Sequence, residues 1–199
     1  MTGASRAAKA ARLPKGQAKR EEILTGLMAA LNRGELRNPS LKAIGRTLGL
    51  EPAHILYYFG SREALMQAVI RRWDADNTSQ GNKGDGDGEM SLDGFAEVVR
   101  ANLARPGVVH LYLAFAAEAV DPLHPAHDFV QTRFDHVKLR LAAAIRREQG
   151  AGTVAERHDP DIEARLLIAL ADGLQLQSLI DPQVDAVRHI RAAVEALRN

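Results

Sequence analysis

The chain has 199 residues, 46% hydrophobic and 26% charged, with a formal net charge of +1 and no cysteine. That is enough apolar material for a sizeable core in one or two domains, and it leaves no means of building disulfides or thiolate metal sites. No apolar run reaches bilayer-spanning length and the N-terminus has no apolar signal region, so a soluble cytoplasmic protein is expected.

The small net charge conceals an asymmetry. Residues 1–72 carry 13 Lys/Arg against 5 Asp/Glu, whereas residues 73–199 carry 13 against 20. A basic first third points to a polyanionic partner for that part alone.

Residues 1–18 are rich in Ala, Lys and Arg, lack acidic residues and have no apolar stripe; they are expected to form a flexible basic arm. From Lys19 to Asn32 the apolar positions Ile23, Leu24, Leu27, Met28 and Leu31 mark one face of a helix, with Gly34 after its end. Ser40 then suits the N-cap of a short second helix carrying Leu41, Ile44 and Leu48, closed by Gly49. Pro52 opens a third helix running to about Tyr58, and Gly60-Ser61 breaks the chain before a fourth that carries Leu65, Val69, Ile70 and Trp73.

Residues 76–90 are almost wholly polar and glycine-rich, and read as a mobile loop between two halves. Helical periodicity resumes with Ser91 as cap. It continues through an apolar segment 107–120, a Pro-rich connector, an amphipathic segment 126–148, a loop at 150–160 and two helices over 161–180 and 183–198. No segment alternates with period two. The fold class is all-α with about nine helices.

The short second and third helices, joined by Gly49-Leu50-Glu51, have the layout of a helix-turn-helix, whose second helix enters a DNA major groove. "SLKAIGRTLGLEPAHILYYFGSREALMQAVI" resembles the DNA-binding domain of tetracycline-repressor (TetR) family bacterial transcriptional regulators. Leu48-Gly49-Leu50, Tyr57-Tyr58-Phe59 and Gly60-Ser61-Arg62-Glu63-Ala64-Leu65 carry the likeness. It spans roughly residues 19–75; "DGLQLQSLIDP" at 172–182 extends it less specifically into residues 91–199.

The resemblance implies a helix-turn-helix domain over 19–75, with a linking fourth helix, and a ligand-binding and dimerisation domain over 91–199. It places Pro52, Ala53 and His54 at the bases. It places Tyr57, Tyr58, Lys42 and Arg62 at the phosphate backbone, with Ser40 and Ser61 at the helix starts beside it. The family often has Tyr where Leu56 stands, so that contact is not carried over.

An effector cavity between the fifth and eighth helices is expected from Phe95, Val99, Tyr112, Phe115, Phe134 and Val137, with His110 and Glu118 as polar anchors. A homodimer interface is expected from the last two helices, through Leu166, Leu170, Gly173, Leu174, Val187, Ile190, Val194 and Leu197. The expected function is a regulator, most often a repressor in this family, that binds a near-palindromic double-stranded operator and is released by a small molecule. The alternative is a helical ligand-binding or interaction module without specific DNA binding.

No Gly-rich phosphate loop, G-x-S-x-G elbow or nucleophilic cysteine is present, so no enzyme and no cofactor are expected. The His124-x-x-His127 pair lies in a Pro-rich connector and is read as connector rather than metal site.

Overall fold

The computed structural model describes residues 15–81 and 89–199. Among these residues there are nine helices and no strand: α1 (Lys15–Asn32), α2 (Leu41–Leu48), α3 (Pro52–Phe59), α4 (Arg62–Gly81), α5 (Leu92–Leu103), α6 (Pro106–Glu118), α7 (His127–Gly150), α8 (Pro160–Ile180) and α9 (Ala186–Arg198).

Local chemistry sets most of the helix boundaries. Ser40 Oγ accepts from the Ala43 N–H and Ser91 Oγ from the Gly94 N–H, each satisfying a donor of the first turn. Asp159 does the same for two N–H groups at the start of α8, where Pro160 occupies the first helical position. The arm expected over 1–18 falls largely outside the described residues, and Lys15 already belongs to α1.

One boundary differs from expectation. The polar stretch read as loop from residue 76 begins as helix, because α4 continues to Gly81. Asn77 is 6% exposed within that extension. Its Nδ2 donates to Asn102 Oδ1 inside the protein, which offsets part of the cost of burying a polar residue there. Residues 82–88 of the expected loop lie outside the described residues.

Two apolar clusters fill the interior. The first joins Ile23, Leu27 and Leu31 of α1, Ile44 of α2, Ile55 and Phe59 of α3, and Leu65, Val69 and Trp73 of α4. It continues into α6 through Val108, Leu111 and Phe115. The second joins Phe95 and Val99 of α5, Leu141 and Ile145 of α7, Leu167 and Leu174 of α8, and Ile190, Val194 and Leu197 of α9. Helix α6 therefore packs into the same core as the helix-turn-helix, and α4 carries Trp73 from that core to the rim of the second half.

The start of α6 is pressed against the end of α1. A Cβ on Gly107 would lie 2.2 Å from the Leu31 carbonyl oxygen and 2.8 Å from that of Leu36, so only glycine fits the approach. The far end of α6 touches the same half again. Arg62 Nη1 donates to Glu118 Oε2 at 3.1 Å and its Nη2 donates to Asn38 Oδ1. Arg62 Nε donates to the Pro39 carbonyl, which ties the α1–α2 loop to the same guanidinium.

Candidate functional site

Helices α2 and α3 form a tight unit. A Cβ on Gly45 would lie 2.3 Å from the Leu50 carbonyl oxygen, and the Leu50 N–H returns a bond to the Gly45 carbonyl at 2.8 Å. Gly49 adopts φ +66°, a left-handed conformation that releases the chain from α2 into the turn. Ile44, Ile55 and Phe59 are buried, so these two helices show their other faces to solvent.

The exposed faces hold the side chains expected at DNA. Lys42 and Arg46, four apart on α2, are exposed and form no ion pair among the described residues. On α3, Ala53 and His54 are exposed, Pro52 is half-buried and Tyr57 is 80% exposed. Tyr58 is half-buried on the core; its ring lies 5.2 Å from His54 and packs edge-on to Tyr57 at 5.0 Å. Arg20 of α1 donates to the Tyr58 carbonyl at 2.6 Å and lies 4.2 Å from the centre of the Phe59 ring, which pins the C-terminal turn of α3.

Two expected contacts are otherwise engaged. The Ser40 and Ser61 hydroxyls both accept helix-capping bonds, the latter from the Ala64 N–H at 3.0 Å. Arg62, also expected at the phosphate backbone, is engaged within the chain: its guanidinium is bonded to Pro39, Asn38 and Glu118 and is 20% exposed. Arg46 and Arg20 were passed over in the sequence. The four-residue spacing from Lys42 could have revealed Arg46, but nothing local could have revealed Arg20, whose partners lie 38 and 39 positions away.

A cavity of about 120 Å³ opens among α4, α5, α6, α7 and α8. Phe95, Val99, Tyr112, Phe134 and Val137 line it as expected, together with Trp73 and Met90. Phe115 does not line it, being fully buried in the first core. Glu118 does not line it either, since it sits at the exposed end of α6 with Arg62. His110 is half-buried elsewhere on α6.

The polar lining comes from groups the sequence reading missed. Arg133 of α7 donates both Nε and Nη2 to Asp74 of α4, at 2.9 and 2.8 Å. Its guanidinium lies 4.3 Å from the Tyr112 ring centre and 5.5 Å from that of Trp73. Tyr112 donates to Asp172 of α8 at 3.2 Å. Burial raises the Asp172 carboxyl above its ordinary range, against the opposing pull of Arg133 and the Tyr112 hydroxyl. Beside this cluster runs an amide relay: Asn77 Nδ2 donates to Asn102 Oδ1 at 2.8 Å, and Asn102 Nδ2 to Gln175 Oε1 at 2.9 Å. Gln175 Nε2 closes it on the Ala171 carbonyl at 3.1 Å.

The expected dimer residues divide. Leu174, Ile190, Val194 and Leu197 are buried within the chain, because α5 covers the apolar stripe of α9 and α8 turns Leu174 inward. Leu170, Gly173 and Val187 are half-buried and Leu166 is 57% exposed. The apolar residues that α8 leaves in solvent are Ile162, Leu166, Leu176 and Ile180.

Residues 92–198 match the model of the C-terminal domain of BetI-type transcriptional repressors. The chain is similar to the HTH-type transcriptional regulator BetI of Vibrio vulnificus (strain YJ016), 24% identical over 174 residues that cover 83% of each chain. A TetR transcriptional regulator from Chloroflexus aurantiacus J-10-FL shares the fold at a TM-score of 0.71 and 21% identity, covering 92% of this chain and 96% of its own. SmeT of Stenotrophomonas maltophilia, solved in complex with triclosan, does so at a TM-score of 0.65 and 20% identity, over 91% of this chain and 90% of its own.

Proposed function

From a chain that belongs to the TetR family of transcriptional regulators, with the C-terminal domain of the BetI-type repressors, we infer a ligand-responsive repressor. It binds a near-palindromic operator as a homodimer and leaves it when a small molecule fills the cavity. The observation that carries this reading is the double role of α4. Its first turn is bonded to the helix-turn-helix and to the end of α6, while Trp73, Asp74 and Asn77 further along line the cavity. A ligand that fits one orientation of α4 better than another shifts the population between DNA-competent and DNA-incompetent dimers.

On DNA, Lys42 and Arg46 meet phosphates, Tyr57 and Tyr58 flank the backbone, and Pro52, Ala53 and His54 approach the bases. His54 carries the one polar side chain among those three. A single such unit reads few base pairs; two recognition helices in a dimer read half-sites about 34–36 Å apart. The exposed stripe Ile162, Leu166, Leu176 and Ile180, with the half-buried Leu170 and Gly173, supplies the apolar surface for that dimer. The triclosan bound to SmeT, which shares this fold, supports a small-molecule ligand for this chain. No helix among the described residues is long and apolar enough to cross a membrane; a cytoplasmic location follows from the operator-binding reading itself.

The test is fluorescence anisotropy of the purified protein against DNA flanking its own gene, repeated across a salt series. Saturable binding to one near-palindrome, weakening steeply with salt, is expected. Binding that is equal on all sequences would overturn the operator reading.

A further inference from the structure

The polar groups around the cavity specify more than its existence. The amide relay ends at the Ala171 carbonyl, which can only accept. That end fixes every amide along it: Gln175 must turn its nitrogen to Ala171 and its oxygen to Asn102, and Asn102 must turn its oxygen to Asn77. Asn77 is left presenting Oδ1, which has no hydrogen-bond partner among the described residues although the residue is 6% exposed. One helical turn earlier on α4, Trp73 Nε1 is likewise buried and unpartnered, in a residue 1% exposed. Both residues line the cavity, and both polar atoms lie just behind its surface, so a ligand there reaches them by a small turn of each side chain. A buried donor and a buried acceptor left unmade each carry a desolvation penalty that a ligand can relieve.

The charges of the same wall balance, Arg133 and Arg140 against Asp74 and Asp172 with His136 beside them, and so argue against an ionic ligand. Arg133 already lies over Tyr112 and Trp73, on the aromatic faces that a ligand cation would seek. The Arg133 fork is itself engaged by both Asp74 oxygens, so it offers no open bidentate seat to a carboxylate.

Building on the effector reading above, we propose that the cavity takes an uncharged, largely apolar molecule with adjacent hydrogen-bond acceptor and donor, as in a carboxamide or lactam. Its acceptor meets Trp73 Nε1 and its donor meets Asn77 Oδ1. The cavity of about 120 Å³ is near the size, roughly 150 Å³, that admits a benzene ring. Because both contacts lie on α4, such a ligand would act on the helix that joins cavity to DNA-binding half.

Three planar probes of one shape separate the possibilities: benzamide (neutral), benzoate (anion) and benzamidinium (cation). Calorimetry and thermal shift on the full chain, at millimolar probe, should show benzamide binding more tightly than either ion. Trp73→Phe keeps the ring and removes the donor, and Asn77→Leu removes the acceptor; each should weaken benzamide about tenfold, the loss of one hydrogen bond. If Asn77→Leu fails to fold, Trp73→Phe decides alone. Tighter binding of either ion, benzamide affinity untouched by Trp73→Phe, or binding of none of the three overturns the proposal. Operator binding is measured separately. Benzamide that binds through Trp73 and Asn77 without changing operator affinity would leave the ligand class standing and defeat the effector reading.

Discussion

Arg62, the first residue of α4, donates to Glu118, the last residue of α6, across 3.1 Å. Asn38 of the α1–α2 loop completes the junction by donating to Glu118 Oε1 and accepting from Arg62. Three elements that approach from different parts of the chain thus share one charged node. Burial pulls the Glu118 carboxyl upward, yet the bonds from Asn38 and Arg62 outweigh it and hold the group below the ordinary carboxylate range. With Gly107 packed on Leu31 at the other end, α6 is clamped to the DNA-binding half at both ends.

Glu118→Gln should therefore act more on coupling than on stability. The side chain is 37% exposed, so the lost charge is screened and should cost about 0.5 kcal/mol in urea unfolding. Operator affinity should change severalfold, because the tilt of α4 against α6 loses its charged tie. The sign with pH is set by a lowered native pKa: the tie contributes above the ordinary carboxylate range and is lost as pH falls through the native value. The glutamine variant should lack that acid-side loss. Parent-like operator affinity would show the node to be surface decoration.

Gly107→Ala tests the opposite end of α6. Its new methyl would fall within 2.2 Å of a backbone oxygen, where no flexible side chain can give way. A destabilisation of about 1–3 kcal/mol is expected from such overpacking. Gly150→Ala, at the exposed end of α7, is the control, since a Cβ there meets nothing within 4 Å and should leave stability unchanged or raise it by up to roughly 0.5–1 kcal/mol through helix propensity. Equal effects at the two glycines would contradict the packing at α6.

At the DNA surface, Lys42→Ala and Arg46→Ala should each weaken operator and random DNA alike and lower the salt slope by about one charge. His54→Ala should change base preference within the half-site instead. Arg62→Ala should destabilise the α4–α6 junction yet leave the salt slope as it is, because its donors are spent internally. A drop of one in the slope for Arg62→Ala would return that residue to the phosphate contacts.

The helix-turn-helix was legible in the sequence because its signals are local. Ser40, Gly49, Pro52 and Gly60 punctuate it, and the apolar spacing between them states which faces are buried. The cavity's apolar wall was legible for the same reason, since Phe95, Val99, Phe134 and Val137 follow helical periods. Its polar wall was not. Asn77, Asn102 and Gln175 come from three helices, and Asn77 opens a run of residues whose composition reads as loop. The stripe on α9 misled differently: Ile190, Val194 and Leu197 look the same whether α5 or a second chain covers them. Only the packing distinguishes these cases.

The dimer surface is the next expectation. Leu166→Glu places a charge on a side chain 57% exposed in the isolated chain, so folding should survive with a change near 0.5 kcal/mol or less. Burying that charge against a twin would be costly, so sedimentation should shift from dimer to monomer at micromolar concentration. Operator binding should fall with it, since one recognition helix retains only half the contacts. A dimer that persists in this variant would move the interface off this part of α8.

Asp172 offers a test of the cavity's electrostatics through pH. Burial raises its native pKa above that of the unfolded chain, so the native state binds the extra proton first. Stability must then fall as pH rises through the window between the unfolded and native values, where the carboxyl has to ionise inside the cavity wall. Asp172→Asn removes that ionisation and keeps an oxygen to accept from Tyr112. The variant should be more stable than the parent at about pH 8, and the advantage should shrink on acidification until it disappears below the ordinary range of aspartate. Thermal unfolding of both proteins across that range measures the difference directly. An advantage that grows toward acid would mean that the attraction of Arg133 outweighs burial, and the carboxylate would then be a stabilising partner of the guanidinium rather than a strained neighbour of it.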